Sequence, residues 1–179
     1  DTHLWHDTHY HSTLPHWLLD RINMPVANLA TYTCQWWKNG RFWAWEGVGC
    51  CEGTCTHVWN YAQAMAHLFP ELERSARQMQ DFSAGFHDSG LVGFRGDNNY
   101  AADGQCGTIL KAYREHLHSP DNTFLQTNYP HIKKAMQYLI AHDASPQAPA
   151  QSRPSFANSA PHPAGNPDGI IEDPQHTTY

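Results

Sequence analysis

The chain has 179 residues, with 11 Lys+Arg against 17 Asp+Glu, a formal net charge of −6 with histidine neutral. An acidic balance excludes nonspecific nucleic-acid binding, which runs on basic patches, so no nucleic-acid partner is expected. With 40% hydrophobic and 12% aromatic residues most of the chain has the means to fold, and no apolar run approaches the ~18 residues of a membrane span.

Ser12-Thr13-Leu14-Pro15 followed by Trp17, Leu18 and Leu19 predicts a helix over 13–22, with hydroxyl caps and Pro15 in the first turn. Trp36, Trp37, Phe42, Trp43 and Trp45 then crowd around a turn at Lys38-Asn39-Gly40. From Val58, apolar residues at Tyr61, Met65, Leu68, Phe69 and Leu72 recur at helical spacing, with Thr54 or Thr56 as a cap. Pro70 divides or kinks that helix, Glu71 and Glu73 suit the positive start of a new segment, and the second segment runs to Phe82. Residues 86–95 predict a short hairpin with Ser89-Gly90 at its tip. Ile109, Leu110, Tyr113 and Leu117 mark a third helix, and Ile132, Met136, Leu139 and Ile140 a fourth, separated by Ser119-Pro120-Asp121. Helix following helix predicts an all-α chain in which each antiparallel hairpin buries an apolar stripe. Residues 144–167 are rich in Pro, Ala and Ser and predict a flexible loop before a Pro167-Asp168-Gly169 turn.

Two clusters are candidates for chemistry. The tryptophans lead directly into Glu46-Gly47-Val48-Gly49, and indole rings beside a carboxylate suit a sugar site. Flat rings such as Trp43 and Trp45 stack on pyranose faces, the carboxylate bonds hydroxyls or attacks the anomeric carbon, and glycines admit close approach. The alternative is a tryptophan-rich core with a loop carboxylate. Cys50, Cys51 and Cys55, followed by His57, invite a metal reading, but the spacing is not a standard one and adjacent cysteines rarely share an ion. Buried or occasionally paired thiols are expected there, and no metal. His57, Asn60 and Tyr61 fall near one face at a helix start, where they bind hydroxyls or simply cap and pack.

Trp45-Glu46-Gly47, the run from Gly53 to Ala64 and Leu68-Phe69-Pro70-Glu71-Leu72-Glu73-Arg74 resemble the catalytic region of glycoside hydrolase family 116, the non-lysosomal glucosylceramidase and β-glucosidase family. The resemblance continues through Asp103-Gly104-Gln105, Gly107 to Glu115, Asp168-Gly169-Ile170-Ile171-Glu172 and Gln175-His176. It implies part of an (α/α)6 toroid and retaining hydrolysis of β-glycosides, with a carbohydrate or glycolipid substrate and no cofactor. Such enzymes set two carboxyl groups about 5–5.5 Å apart, one a nucleophile and the other an acid and then a base. By position Glu46 matches the nucleophile, Thr178 a threonine beside the site with His176 close by, and His57 stands where that branch has a sugar-binding aspartate. The acid would be the residue after Tyr179, so the chain reads as a fragment, 1–179, of one catalytic domain, inactive alone. A carbohydrate-binding helical module without catalysis is the rival reading.

Overall fold

The computed structural model describes residues 2–46, 49–95 and 100–143, so the 144–167 loop and the Asp168-Gly169 turn lie outside the described residues. Within them helix dominates: seven α-helices accompany one two-stranded antiparallel sheet. None of these helices is long and apolar enough to cross a membrane.

Helix α1 (Thr2–Tyr10) is polar and buries no residue, which is why apolar periodicity does not reveal it. It is tethered by the Asn23 amide donating to His9 Nδ1 at 2.7 Å and by Trp5 stacking on Phe69. Helix α2 spans His16–Ala27. The predicted start at 13 is too early, because Pro15 is extended (ψ 137°) and precedes the helix rather than opening its first turn.

The tryptophan-rich segment forms a hairpin that the sequence reading reduced to its turn. Strand β1 (Cys34–Trp36) pairs with β2 (Phe42–Ala44), Cys34 opposite Ala44 and Trp36 opposite Phe42. Three-residue strands are too short for a period of two to register against a run of aromatics. The hairpin foreseen at 86–95 is smaller than expected, a single antiparallel bridge between Phe86 and Val92. Its tip is as predicted: the Gly90 N–H donates to the His87 carbonyl at 2.8 Å. Gly90 has φ +95°, and a Cβ there would overlap the Lys134 carbonyl.

The helix expected from Val58 is broken twice. Helix α3 covers Thr56–Tyr61, α4 covers Ala64–Leu68, and α5 covers Pro70–Ala76, continuing as a π-helical stretch over Arg77–Ala84. Pro70 opens α5 as anticipated, but Ala62 (ψ 89°) is an additional break. Neither threonine caps α3. Cys55 is the N-cap, and Thr54 instead donates from Oγ1 to the Phe42 carbonyl at 2.6 Å and accepts from the Ala44 N–H at 3.0 Å.

Helices α6 (Ala102–His118) and α7 (Thr123–Asp143) follow, with Asp121 capping the latter through the Thr123 N–H. The expected stripe on α6 faces the wrong way: Leu110, Tyr113 and Leu117 are 67%, 61% and 63% exposed. What α6 buries is Gly104, Gln105, Thr108, Lys111, Ala112 and Glu115. On α7 the expected stripe divides, Leu139 buried and Ile140 exposed. Glycines explain the contact with α3: a Cβ on Gly104 would overlap Thr56 Oγ1, and one on Gly107 the Asn60 amide. Gln105, fully buried, joins three segments, accepting from the Val92 N–H at 2.9 Å and donating to the carbonyls of Gly90 (3.1 Å) and Ala135 (2.9 Å). One apolar cluster gathers Phe42, Ala44, Trp59, Met65 and Ala76, which fixes β2 against α3, α4 and α5, and another packs Phe82, Ala112 and Phe124.

Candidate functional site

Glu46 sits where the chain leaves the sheet. The Trp45 N–H donates to the Thr33 carbonyl at 2.8 Å, extending the β1–β2 pairing, and the Glu46 N–H reaches the Cys51 carbonyl at 3.3 Å. The returning loop uses left-handed backbone at Gly49, Cys51, Gly53 and Thr54, and ends with the Thr54 N–H on the Ala44 carbonyl at 2.8 Å. Non-glycine residues in that region are strained and persist only where their surroundings hold them. Here the Thr54 side chain, bonded twice to β2, holds the turn that delivers Cys55 to α3.

Arg95, 49 residues further along the chain, closes the site by donating from Nη2 to Glu46 Oε1 at 3.0 Å. Their side chains are 26% and 15% exposed, so the carboxylate is fixed yet reachable. The Cys55 thiol is pushed up by burial and then by its hydrogen bond to Glu46. The Cys51 thiol is pushed up to about 11, first by its hydrogen bond with Cys50, then by desolvation and the Glu46 charge. Burial lowers the Arg95 guanidinium, but Cys55 and Glu46 outweigh it and hold it above its ordinary range. With no ion bound, the Cys51 and Cys55 thiols therefore hold their protons more tightly than free cysteine beside the Arg95–Glu46 contact.

Sequence context points to Glu46 but not to the groups that touch it. Arg95 lies at the end of the predicted hairpin and Cys55 in the cysteine cluster, and no spacing rule joins either to Glu46. Trp43 stacks on Trp37 at 5.1 Å, with Arg41 over its ring at 4.7 Å, so its ring is engaged by its own hairpin. Trp45 is half-buried beside Glu46 in the chain. His57 falls in the first turn of α3 with its side chain outside the described set, and His176 and Thr178 lie outside the described residues. The expected polar face at the start of α3 is split, because Asn60 turns to the Asp103 carbonyl while Tyr61 is 79% exposed. A groove along α2, lined by Trp17, Asp20, Arg21, Asn23, Met24 and Ala27, includes none of these groups.

No family model matches the chain, and no curated protein matches it.

A second constellation, which sequence reasoning missed, is a buried ionic network between α5, its π-helical continuation and α6. Arg77 pairs with Asp81 and, at 3.5 Å, with Glu73; Arg114 reaches Glu73 at 2.8 Å, and Arg74 reaches Glu115 at 2.6 Å. The wider π turn is compatible with this dense use of one face. Glu73 is held below its ordinary range although burial opposes this, because Arg77, Lys111 and Arg114 surround it. Among the described residues of this network three carboxylates face three guanidiniums, with Lys111 as a further cation. Its ammonium is 3.8 Å from Asp81 and is lowered to about 7, first by burial and then by Arg77.

A lysine that loses its proton more easily when folded destabilises the fold fully below about 7. That cost is relieved as pH rises from about 7 toward the unfolded value of 10.5. Because the Lys111 ammonium is buried without a hydrogen-bond partner among the described residues, Lys111→Met is expected to stabilise by roughly 1–3 kcal/mol below about pH 7, the cost of an unsatisfied buried polar group. Urea titrations from acid to alkaline pH would check it: the advantage must shrink through that window, and a constant offset would refute the assignment.

Proposed function

We propose that the chain belongs to the catalytic domain of a retaining β-glycosidase, an all-α (α/α)6 toroid in which Glu46 is the nucleophile. The observation that supports this most is the Glu46 carboxylate itself, gripped by Arg95 at 3.0 Å while keeping part of its surface open at the end of a tryptophan-rich hairpin. The exposed stripe Leu110, Tyr113 and Leu117 adds support, since an apolar helix face of this kind is what the next hairpin of a ring would cover. In this mechanism Glu46 attacks the anomeric carbon while a second carboxyl group protonates the departing oxygen. The glycosyl ester formed on Glu46 is then cleaved by water, which the second group, now a carboxylate, deprotonates. Two carboxyl groups suffice, and no cofactor is invoked. Arg95 holds the attacking oxygen pair in one orientation, and the substrate is a β-linked carbohydrate or glycolipid.

A slow fluoroglycoside inactivator applied to the full-length protein tests the reading. The expected result is one covalent sugar per chain, mapped by peptide mass to Glu46. A label on Glu52, or saturable sugar binding without any label, would replace it with a different nucleophile or with the carbohydrate-binding module.

A further inference from the structure

We propose that Glu46, Cys50 and Cys51 form a binding site for a thiophilic divalent cation of the zinc class. One carboxylate oxygen and the two Sγ atoms lie within 4.8 Å of one another. A tetrahedral ion with Zn–S bonds near 2.3 Å seats its ligand atoms roughly 3.5–3.8 Å apart, so side-chain rotation alone closes the cluster. Adjacency and irregular spacing counted against a metal in the sequence, and the fold answers both. In extended backbone adjacent side chains point to opposite sides, but Cys51 is left-handed (φ 63°), which removes that alternation and brings both thiols to one side. The third ligand comes from the far end of the same loop, which the Glu46 N–H closes onto the Cys51 carbonyl at 3.3 Å. Nothing about ligand spacing along the chain is needed once the loop returns on itself.

The ion pair with Arg95 does not exhaust Glu46, because a carboxylate has two oxygens and about four lone-pair sites. The two thiols release their protons to solvent as the ion binds, and the resulting two thiolates and a carboxylate match the borderline-soft character of zinc, while three protein ligands leave a fourth position for water or an exchangeable group. Magnesium and calcium, which take oxygen ligands, are excluded by the same donor set. Binding rests on these three side chains and not on the glycosidase reading. Only its consequence does, that a bound ion occupies the carboxylate required for attack.

Cadmium titration of the reduced, untagged protein tests the site, read by the ultraviolet thiolate-to-cadmium charge-transfer band and by equilibrium dialysis. The expected result is one ion per chain with the band intensity of two thiolates, displaced by excess zinc. Joint Cys50→Ser and Cys51→Ser replacement abolishes the band, while Cys34→Ser leaves it unchanged. Glu46→Gln keeps the band but weakens binding at least about tenfold, the smaller end of the loss seen for outer partners of a ligand. Absence of a saturable band, its survival in the double serine variant, or unchanged affinity in Glu46→Gln would overturn the proposal. Because the readout is absorbance rather than turnover, its failure leaves the hydrolase reading standing, and the converse holds too.

Discussion

Arg77→Met is expected to lower stability by about 3–5 kcal/mol, the range for removing one partner of a buried ion pair. Arg77 is 1% exposed and is the shared cation of two carboxylates, Asp81 and Glu73, which are themselves nearly fully buried. Methionine preserves much of the volume, so the loss is electrostatic rather than a cavity. Glu73 retains Arg114 at 2.8 Å, but Asp81 is left with the Lys111 ammonium at 3.8 Å, too far for a hydrogen bond without movement. Against a total of about 5–15 kcal/mol, that is roughly a fifth or more of the stability of an ordinary domain. Arg77→Lys restores the charge but not the planar fork, and should recover only part of the loss. Urea unfolding supplies the measurement: the midpoint must fall while the slope stays constant. A midpoint within experimental error of wild type would show that the network contributes specificity without stability.

The same network explains which parts of the fold were legible in the sequence. Pro70, the Ser119-Pro120-Asp121 break and the turn at Gly90 are local signals, set by a missing donor, a capping side chain and a left-handed backbone, and each appears in place. The direction in which α6 faces is not local. Leu110, Tyr113 and Leu117 repeat at helical spacing, but so do Gln105, Thr108, Lys111, Ala112 and Glu115, and it is the second set that is buried. Apolar periodicity identifies a helix and assumes that its apolar side points inward, whereas here partners on α5 supply the charges that bury the polar side. Glu46 was legible for a different reason, as a carboxylate set in a tryptophan and glycine context. Its partners were not, since Arg95 arrives from 49 residues away and the thiols from a loop whose left-handed positions carry cysteine and threonine as well as glycine.

On the proposed glycosidase reading, Glu46→Gln is expected to reduce kcat on the order of 10⁴-fold or more, the scale of losing a nucleophile outright. Glutamine is nearly isosteric and its amide oxygen still accepts from Arg95, so the fold and the position of the side chain are conserved. What disappears is the anionic oxygen that forms the glycosyl ester, an interaction made only on the way to the transition state. The loss should therefore fall on kcat rather than on KM. Glu52 provides the comparison: it is exposed on the same loop, and Glu52→Gln should retain near-normal turnover. A structural role for Glu46 would also lower activity, so a second observable is required. Glu46→Ala opens space on the face from which the carboxylate attacks, and azide entering there displaces an activated leaving group to give the glycosyl azide of inverted configuration. A structural carboxylate has no means of producing that product when removed. Folded Glu46→Gln enzyme with turnover close to wild type, or Glu46→Ala that yields no azide adduct while binding the sugar, would remove Glu46 from the reaction and leave it as the counter-ion of Arg95.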